Sequence, residues 1–267
     1  MTRRDDVFTV AIATHKGGTG KTVTAMALAA ALARNGHFTV LVDLDPQGHS
    51  TLGLGVELHE SDLTLRDLLL EPPKGLLDVL KQTTVPRLSI VPSSIHVERT
   101  AQAQYMRPRR EVVLQKALNA LCPAPTFVII DCPPSLGPLT ENGIAAADWV
   151  LVPCQMEARA SEGLADVLEL VAVLKGTAFD RWRILRTRVD GRKRVTNTAI
   201  EGALLPWRAQ WLQTVIPQSE PLNQAQIERV DIFTYAPTSP GATAYKALAA
   251  EIVGLTTPDQ ATGSDGQ

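Results

Sequence analysis

Eight consecutive residues, His15-Lys16-Gly17-Gly18-Thr19-Gly20-Lys21-Thr22, have the types and spacing of a loop that grips phosphate. Glycines at 17, 18 and 20 let the backbone bend until successive N–H groups point inward at phosphate oxygens. Lys21 is placed to reach β- and γ-phosphates, and the Thr22 hydroxyl to bind Mg²⁺. The pattern G-x-x-x-x-G-K-[ST] is incomplete, because His15 stands where its first glycine belongs and Lys16 follows it. Two acidic segments could complete the chemistry. Phe127-Val128-Ile129-Ile130-Asp131 is an apolar run closed by a carboxylate, which suits holding Mg²⁺ through a water. Alone it would be a turn or N-cap aspartate; the phosphate loop upstream decides for the metal role. Asp43 and Asp45 fall on the same side of the Val40–Val42 run, just before Pro46 and Gly48. Such a pair can orient a water for attack on a γ-phosphate and support the metal shell, or it can be a solvated acidic turn.

These residues need strands to end beside one another and a helix to begin at Lys21. Strand-like runs fall at Val7–Ala13, Phe38–Asp43, Leu88–Val91, Phe127–Asp131, Trp149–Pro153, Ile184–Val189 and Thr214–Ile216. Helical patterns fill Thr22–Arg34, Arg109–Leu121, Glu162–Leu174, Thr196–Gln210 and Ala242–Val253, with Gly36 as a stop for the first. The alternation predicts an α/β fold, a doubly wound and mostly parallel sheet flanked by helices, with ligands at the carboxyl ends of strands. Cys132-Pro133-Pro134-Ser135 reads as a stiff, extended exit from its strand. Glu71–Gly75 interrupts the pattern, and the segment 256–267 has almost nothing apolar, so it reads as a disordered tail behind a single domain over 1–255.

At 267 residues the chain can bury a full core, and 45% hydrophobic content with only 4% aromatics favours helices on a parallel sheet over an aromatic-rich sandwich. A net charge of −2 confines any nucleic-acid surface to a local patch. Three cysteines, Cys122, Cys132 and Cys154, form no C-x-x-C pair and no even disulfide set, which points to a reduced cytoplasm. Cys132 reads as a small buried filler. The charged residues 1–6 run straight into the first strand with no signal peptide, and no apolar run reaches membrane-spanning length.

Taken together, Lys16–Thr22, Asp43-Leu44-Asp45-Pro46-Gln47-Gly48 and Ile130-Asp131-Cys132-Pro133-Pro134-Ser135 resemble the deviant-Walker P-loop ATPases of the ParA/Soj partition family. Val152-Pro153-Cys154-Gln155, Glu162-Gly163-Leu164, Thr214-Val215-Ile216-Pro217 and Gly241-Ala242-Thr243-Ala244-Tyr245 extend the resemblance to about Leu255. It implies an ATPase, using ATP and Mg²⁺, that is slow unless a partner stimulates it. Lys16 would cross a homodimer interface to the partner's nucleotide, so that the ATP-bound state is the dimer. Asp45 would position the attacking water, with Lys16 and Lys21 beside the reacting phosphate. Gly17, Gly18, Thr19, Gly20, Lys21, Thr22 and Val23 would line the nucleotide, Thr22, Asp131 and Asp43 would serve the metal, and the Pro217 carbonyl would meet the adenine edge. Val23 replaces the family's second hydroxyl, which leaves one α-phosphate contact to backbone. The chain begins at the ATPase region, as in short members lacking an N-terminal helix-turn-helix.

The family also implies non-specific double-stranded DNA binding, a ParB-like centromere-binding partner, a cytoplasmic and nucleoid-associated location, no membrane, and plasmid or chromosome segregation. Seven cations crowd 181–194: Arg181, Arg183, Arg186, Arg188, Arg192, Lys193 and Arg194. Lys and Arg on neighbouring loops can neutralise phosphates without reading sequence, although strand alternation sends several to different faces. Arg192 and Arg194 are the strongest DNA candidates, Arg208 and Lys246 the next. Gln218-Ser219-Glu220 lies where relatives often carry an arginine, and Arg186-Thr187-Arg188 where many have an apolar strand end. Trp207 and Trp211, read as four apart on one helix, serve packing. The alternatives are a MinD-like or other cargo-positioning ATPase, for which the tail offers no amphipathic helix, and a metabolic P-loop enzyme of the dethiobiotin synthetase type. A nitrogenase-reductase-like iron–sulfur protein would need bridging cysteines that three scattered ones do not supply.

Overall fold

The computed structural model describes residues 7–70, 75–104, 108–121, 124–157 and 160–256. Cys122, residues 1–6, residues 71–74 of the Pro/Gly excursion and residues 257–267 of the tail lie outside them. Eight strands, β1 (Phe8–Ile12), β2 (Thr39–Asp43), β3 (Lys81–Gln82), β4 (Leu88–Val91), β5 (Phe127–Asp131), β6 (Trp149–Gln155), β7 (Trp182–Val189) and β8 (Trp211–Pro217), form one sheet. Its order is β3-β4-β2-β5-β1-β6-β7-β8. Only the short β3, which the sequence pattern did not reveal, runs antiparallel, against β4.

The sheet is parallel because helices return the chain after each strand, and they cover both faces. The helices that matter most here are α1 (Lys21–Arg34), α2 (His49–Gly53), α3 (Leu65–Leu69), α4 (Leu76–Val79), α5 (His96–Gln104), α6 (Val113–Asn119), α7 (Pro138–Ala146), α8 (Ala160–Lys175), α9 (Arg194–Leu204), α10 (Glu220–Ile227), α11 (Ile232–Tyr235) and α12 (Pro240–Thr256). Strand alternation splits the core in two. Val10, Ile12, Phe127 and Ile129 join α1, α10, α11 and α12 on one face, while Ala11, Ala13, Val128 and Ile130 join α6, α7 and α8 on the other. Every residue of β2 and β5 is buried, so these central strands are continuous apolar runs that end in carboxylates. α1 is rich in alanine and buried along nearly its whole length, which lets it lie close on the sheet.

The structure corrects three expectations. α9 stops at Leu204 and a kinked 3₁₀ turn covers Leu205–Gln210, because Pro206 has no N–H to continue the ladder. Trp211 therefore starts β8 and does not share a helix with Trp207, although both pack on the core. A helix unforeseen from the proline-rich run, α7, begins with Pro138 in its first turn, where a missing N–H costs nothing. α12 runs through Thr256, one residue into the segment read as tail.

Candidate functional site

β1 leads into the glycine loop, and α1 begins at Lys21 directly after it. Gly18 and Gly20 take φ of 77° and 89°, left-handed values that side chains rarely adopt, and Gly20 is the N-cap of α1. The loop amides and the positive end of a 14-residue helix thus face the same space. Lys21 is buried and donates to the Lys16 carbonyl at 2.9 Å. Burial lowers its pKa, against the raising effect of the nearby Asp131, Cys132 and Asp45. An anion in the loop would offer that ammonium a stronger acceptor than a neutral carbonyl.

β2 and β5 lie side by side with Asp43 and Asp131 in register at their ends. The two carboxylates do different work. Asp43 Oδ2 accepts from the Thr51 hydroxyl at 2.7 Å and amide at 2.9 Å, and Oδ1 accepts from the Asp45 amide at 3.2 Å. It is spent on holding α2 and the loop before it. Asp131 Oδ2 accepts from Ser50 Oγ at 2.7 Å and the neighbouring Thr22 hydroxyl counters the rise in its pKa, yet Oδ1 is fully buried with no partner among the described residues. Burial raises the carboxyl pKa of both aspartates; the Asp131 charge adds to the rise at Asp43, as the Asp45 charge does at Asp131. A buried orphan carboxylate oxygen beside a threonine hydroxyl fits a hard divalent cation. Among the described residues no cluster of three His, Cys, Asp or Glu side chains forms a metal cage, so such a cation would draw its other ligands from water and phosphate.

Asp45 is 8% exposed and accepts from the Gln47 amide at 3.0 Å; the His49 Nδ1 lies 3.9 Å from it. The turn carrying it depends on Gly48, whose φ is 64° and whose Cβ, if present, would sit 3.2 Å from the Ser93 carbonyl oxygen. Asp45 shares one cleft of about 1240 Å³ with Gly17, Gly18, Gly20, Lys21, Thr22, Val23 and Pro217. Lys16 is different: its ammonium is turned outward, 3.5 Å from Glu157 and half exposed. His15 beside it bonds Asp166 on α8 at 2.6 Å.

The basic cluster disperses. Arg183 lies 4.5 Å over the Trp149 ring, and Arg186 bonds Glu201 while stacking 4.9 Å from Trp211. The exposed Arg192 grips the largely covered Asp190 with two bonds of 2.9 and 2.8 Å, which holds that carboxyl down at about 2. Arg194 is exposed at the start of α9. Arg208 stacks over Trp211 at the first residue of β8, the length of a seven-residue strand, roughly 20 Å, from the end of β8 near Arg192. Lys246 on α12 donates to the Pro237 carbonyl. Cys132 and Cys154 are buried, unpaired and raised in pKa by that burial, Cys154 to about 12, so neither is a nucleophile. Sequence reasoning passed over Ser50 and Thr51, whose adjacent hydroxyls two and three residues after Gly48 were the available signal. Nothing in the sequence marked Thr187 or Arg188 as neighbours of the glycine loop.

A family model described as an AAA domain matches residues 7–183. The sporulation initiation inhibitor protein Soj of Bacillus subtilis (strain 168) is 37% identical over 246 residues, 91% of this chain and 97% of Soj. The chain belongs to the ParA/Soj family. Among solved structures, the cobyrinic acid a,c-diamide synthase of Mycobacterium smegmatis with bound ADP and magnesium superposes with a TM-score of 0.76 at 30% identity, over 92% of this chain and 94% of that one. The septum site-determining protein MinD of Pyrococcus horikoshii, complexed with Mg-ADP, gives 0.76 at 25% identity over 94% and 99%. The doubly wound fold expected from the sequence is therefore that of the ParA and MinD P-loop proteins. Among the described residues, no helix of this ParA/Soj relative is long and apolar enough to cross a membrane.

Proposed function

We propose that the chain is a partition ATPase that binds ATP with Mg²⁺ in the 1240 Å³ cleft and changes its assembly with the nucleotide. The observation that carries the reading is the convergence of Lys21, Thr22 and Asp45 on one cleft at the carboxyl ends of parallel strands, with the buried carboxylate of Asp131 beside Lys21 and Thr22. Gly17, Gly18, Thr19, Gly20 and Val23 supply amides to the phosphates, and Lys21 supplies charge. Thr22 and Asp131 hold the metal, which neutralises charge on the phosphates when bound. Asp43 supports it indirectly, by fixing the Asp45 turn and α2. Asp45 holds and orients the attacking water, and the Pro217 carbonyl meets the adenine.

The outward, half-exposed ammonium of Lys16 supports a role across a homodimer interface, towards the partner's phosphates. Dimerisation on ATP doubles the basic surface, so that Arg192 and Arg194, with Arg208 and Lys246 as further candidates, hold duplex DNA without regard to sequence. The chain through the end of α12 at Thr256 serves as one ATPase domain, followed by a tail. The work is plasmid or chromosome segregation in the cytoplasm, on the nucleoid, with a ParB-like protein accelerating slow turnover.

The test is light scattering with and without Mg-ATP, followed by duplex binding and ATP hydrolysis in both states. A dimer with ATP, bound to random duplex and turning over slowly, is the expected result. A chain that binds ATP yet stays off every duplex at low salt would shift the reading to a MinD-like or cargo-positioning ATPase.

A further inference from the structure

β7 does not keep its alternation to the end. Against β8 it pairs Arg186 with Val215 and Val189 with Pro217, three steps on one strand against two on the other. One extra residue is thus carried on β7 between these pairs. Such bulges re-aim side chains and cluster beside functional sites. Arg188 lies in this stretch with φ of 52°, a left-handed conformation rare for a long L side chain. The consequence is that two successive side chains reach the glycine loop, where an undistorted strand would send one. Thr187 Oγ1 donates to the Thr19 carbonyl at 2.8 Å, and Arg188 Nη1 donates to the Gly18 carbonyl at 3.1 Å.

The guanidinium lies in the wall of the same cleft as Lys21 and Thr22. The two carboxylates that line the adjoining polar pocket with it are engaged elsewhere. Asp190 is held by Arg192, and Glu157 takes Gln155 at 2.6 Å and Lys16 at 3.5 Å. Among the described residues the recorded partner of Arg188 is therefore one neutral carbonyl, which uses one of five N–H donors and leaves the charge without a counter-ion.

We propose that Arg188 is a second cationic ligand for the phosphate tail of the bound nucleotide, delivered by the bulged end of β7 while Lys21 is delivered by α1. This rests on reading the cleft as a nucleotide site. It also removes Arg188 from the set of DNA-binding cations.

The experiment is a fluorescence titration of the full chain with N-methylanthraniloyl ATP, ADP and AMP, at two salt concentrations, for wild type, Arg188→Met and Arg188→Lys. Melting curves establish that each variant is folded. Arg188→Met should weaken ATP binding by roughly tenfold, the size of one charge-assisted hydrogen bond, with less loss for ADP and least for AMP. Its ATP affinity should also depend less on salt. Arg188→Lys keeps the charge without the fork and should recover part of the loss. A residue that merely tethered the loop would weaken all three nucleotides alike and gain nothing from lysine, and that pattern overturns the proposal. So does ATP affinity within twofold of wild type in folded Arg188→Met; should that variant not fold, Arg188→Gln, which keeps length and polarity without the charge, is read by the same criterion. Failure of wild type to bind any of the three nucleotides sinks the nucleotide reading itself, an outcome separate from normal wild-type binding with an unaffected variant.

Discussion

Lys21 and Asp45 line the same cleft but are expected to fail in opposite ways when removed. The Lys21 ammonium is buried and destabilised by that burial, so a bound phosphate is the partner that best satisfies it. Lys21→Ala should leave a folded protein and weaken ATP binding by roughly a hundredfold, as loss of a buried charged donor of about 3 kcal/mol implies. Isothermal titration reads this directly, and unchanged affinity would remove Lys21 from the phosphate site. Asp45 faces the cleft on a turn held by Gln47 and Asp43 and makes no bond to the glycine loop among the described residues. Asp45→Ala should keep ATP affinity within a few-fold while turnover falls by roughly 10² or more, as removal of a water-positioning group does. Light scattering should then show the ATP-bound dimer accumulating; a monomer at saturating Mg-ATP counts against this role.

At the scale of elements, the position of Asp131 depends on how closely α7 lies on β5. Gly143 of α7 makes that approach possible: a Cβ there would stand 2.7 Å from Cys132 Sγ, 3.0 Å from Leu44 Cδ1 and 3.3 Å from Ile130 Cγ2. These neighbours are fully buried and belong to the strand ends that carry Asp43 and Asp131. Gly143→Ala should cost about 1–3 kcal/mol through overpacking, offset only in part by the gain in helix propensity. For a chain of this size the melting temperature should drop by roughly 2–4 °C per kcal/mol. Calorimetry showing an unchanged midpoint would mean that α7 has room to move off the sheet.

For the whole molecule, the proposed binding of a polyanion by a chain of net charge −2 must rest on where its cations lie. The fold spreads its cations over several faces and ties many of them to aromatic rings or carboxylates, so one copy presents a weak surface. DNA binding should therefore need Mg-ATP, be indifferent to sequence, and weaken with salt by a log–log slope of roughly −0.9 for each phosphate neutralised. Replacing Arg192 and Arg194 together by Ala should lower affinity for all duplexes alike and flatten the slope by roughly the number of lost contacts, with DNA-free turnover close to wild type. Filter binding across a salt series measures both quantities. Retained affinity would shift the surface to Arg208 and Lys246.

The sequence by itself determined the parts whose cause is local. The positions of the central strands, the start of α1 after Gly20 and the carboxylates at 43 and 131 follow from apolar runs, glycines and punctuation within a few residues, and the structure places them within two residues of where those signals put them. Local rules missed α7 behind its prolines and carried α9 past Pro206, because a single proline can start a helix or stop one depending on what precedes it. The division of labour between Asp43 and Asp131 was decided only by tertiary structure, since it depends on Thr51 and Ser50 arriving from another element. So was the fate of the 181–194 cations. Alternation along a strand cannot foresee a bulge, and the bulge between β7 and β8 turns Arg188 to the glycine loop while Arg186 stays on Trp211. Side-chain identity is written along the chain, but the partner each side chain meets is fixed by which strand ends the fold brings together.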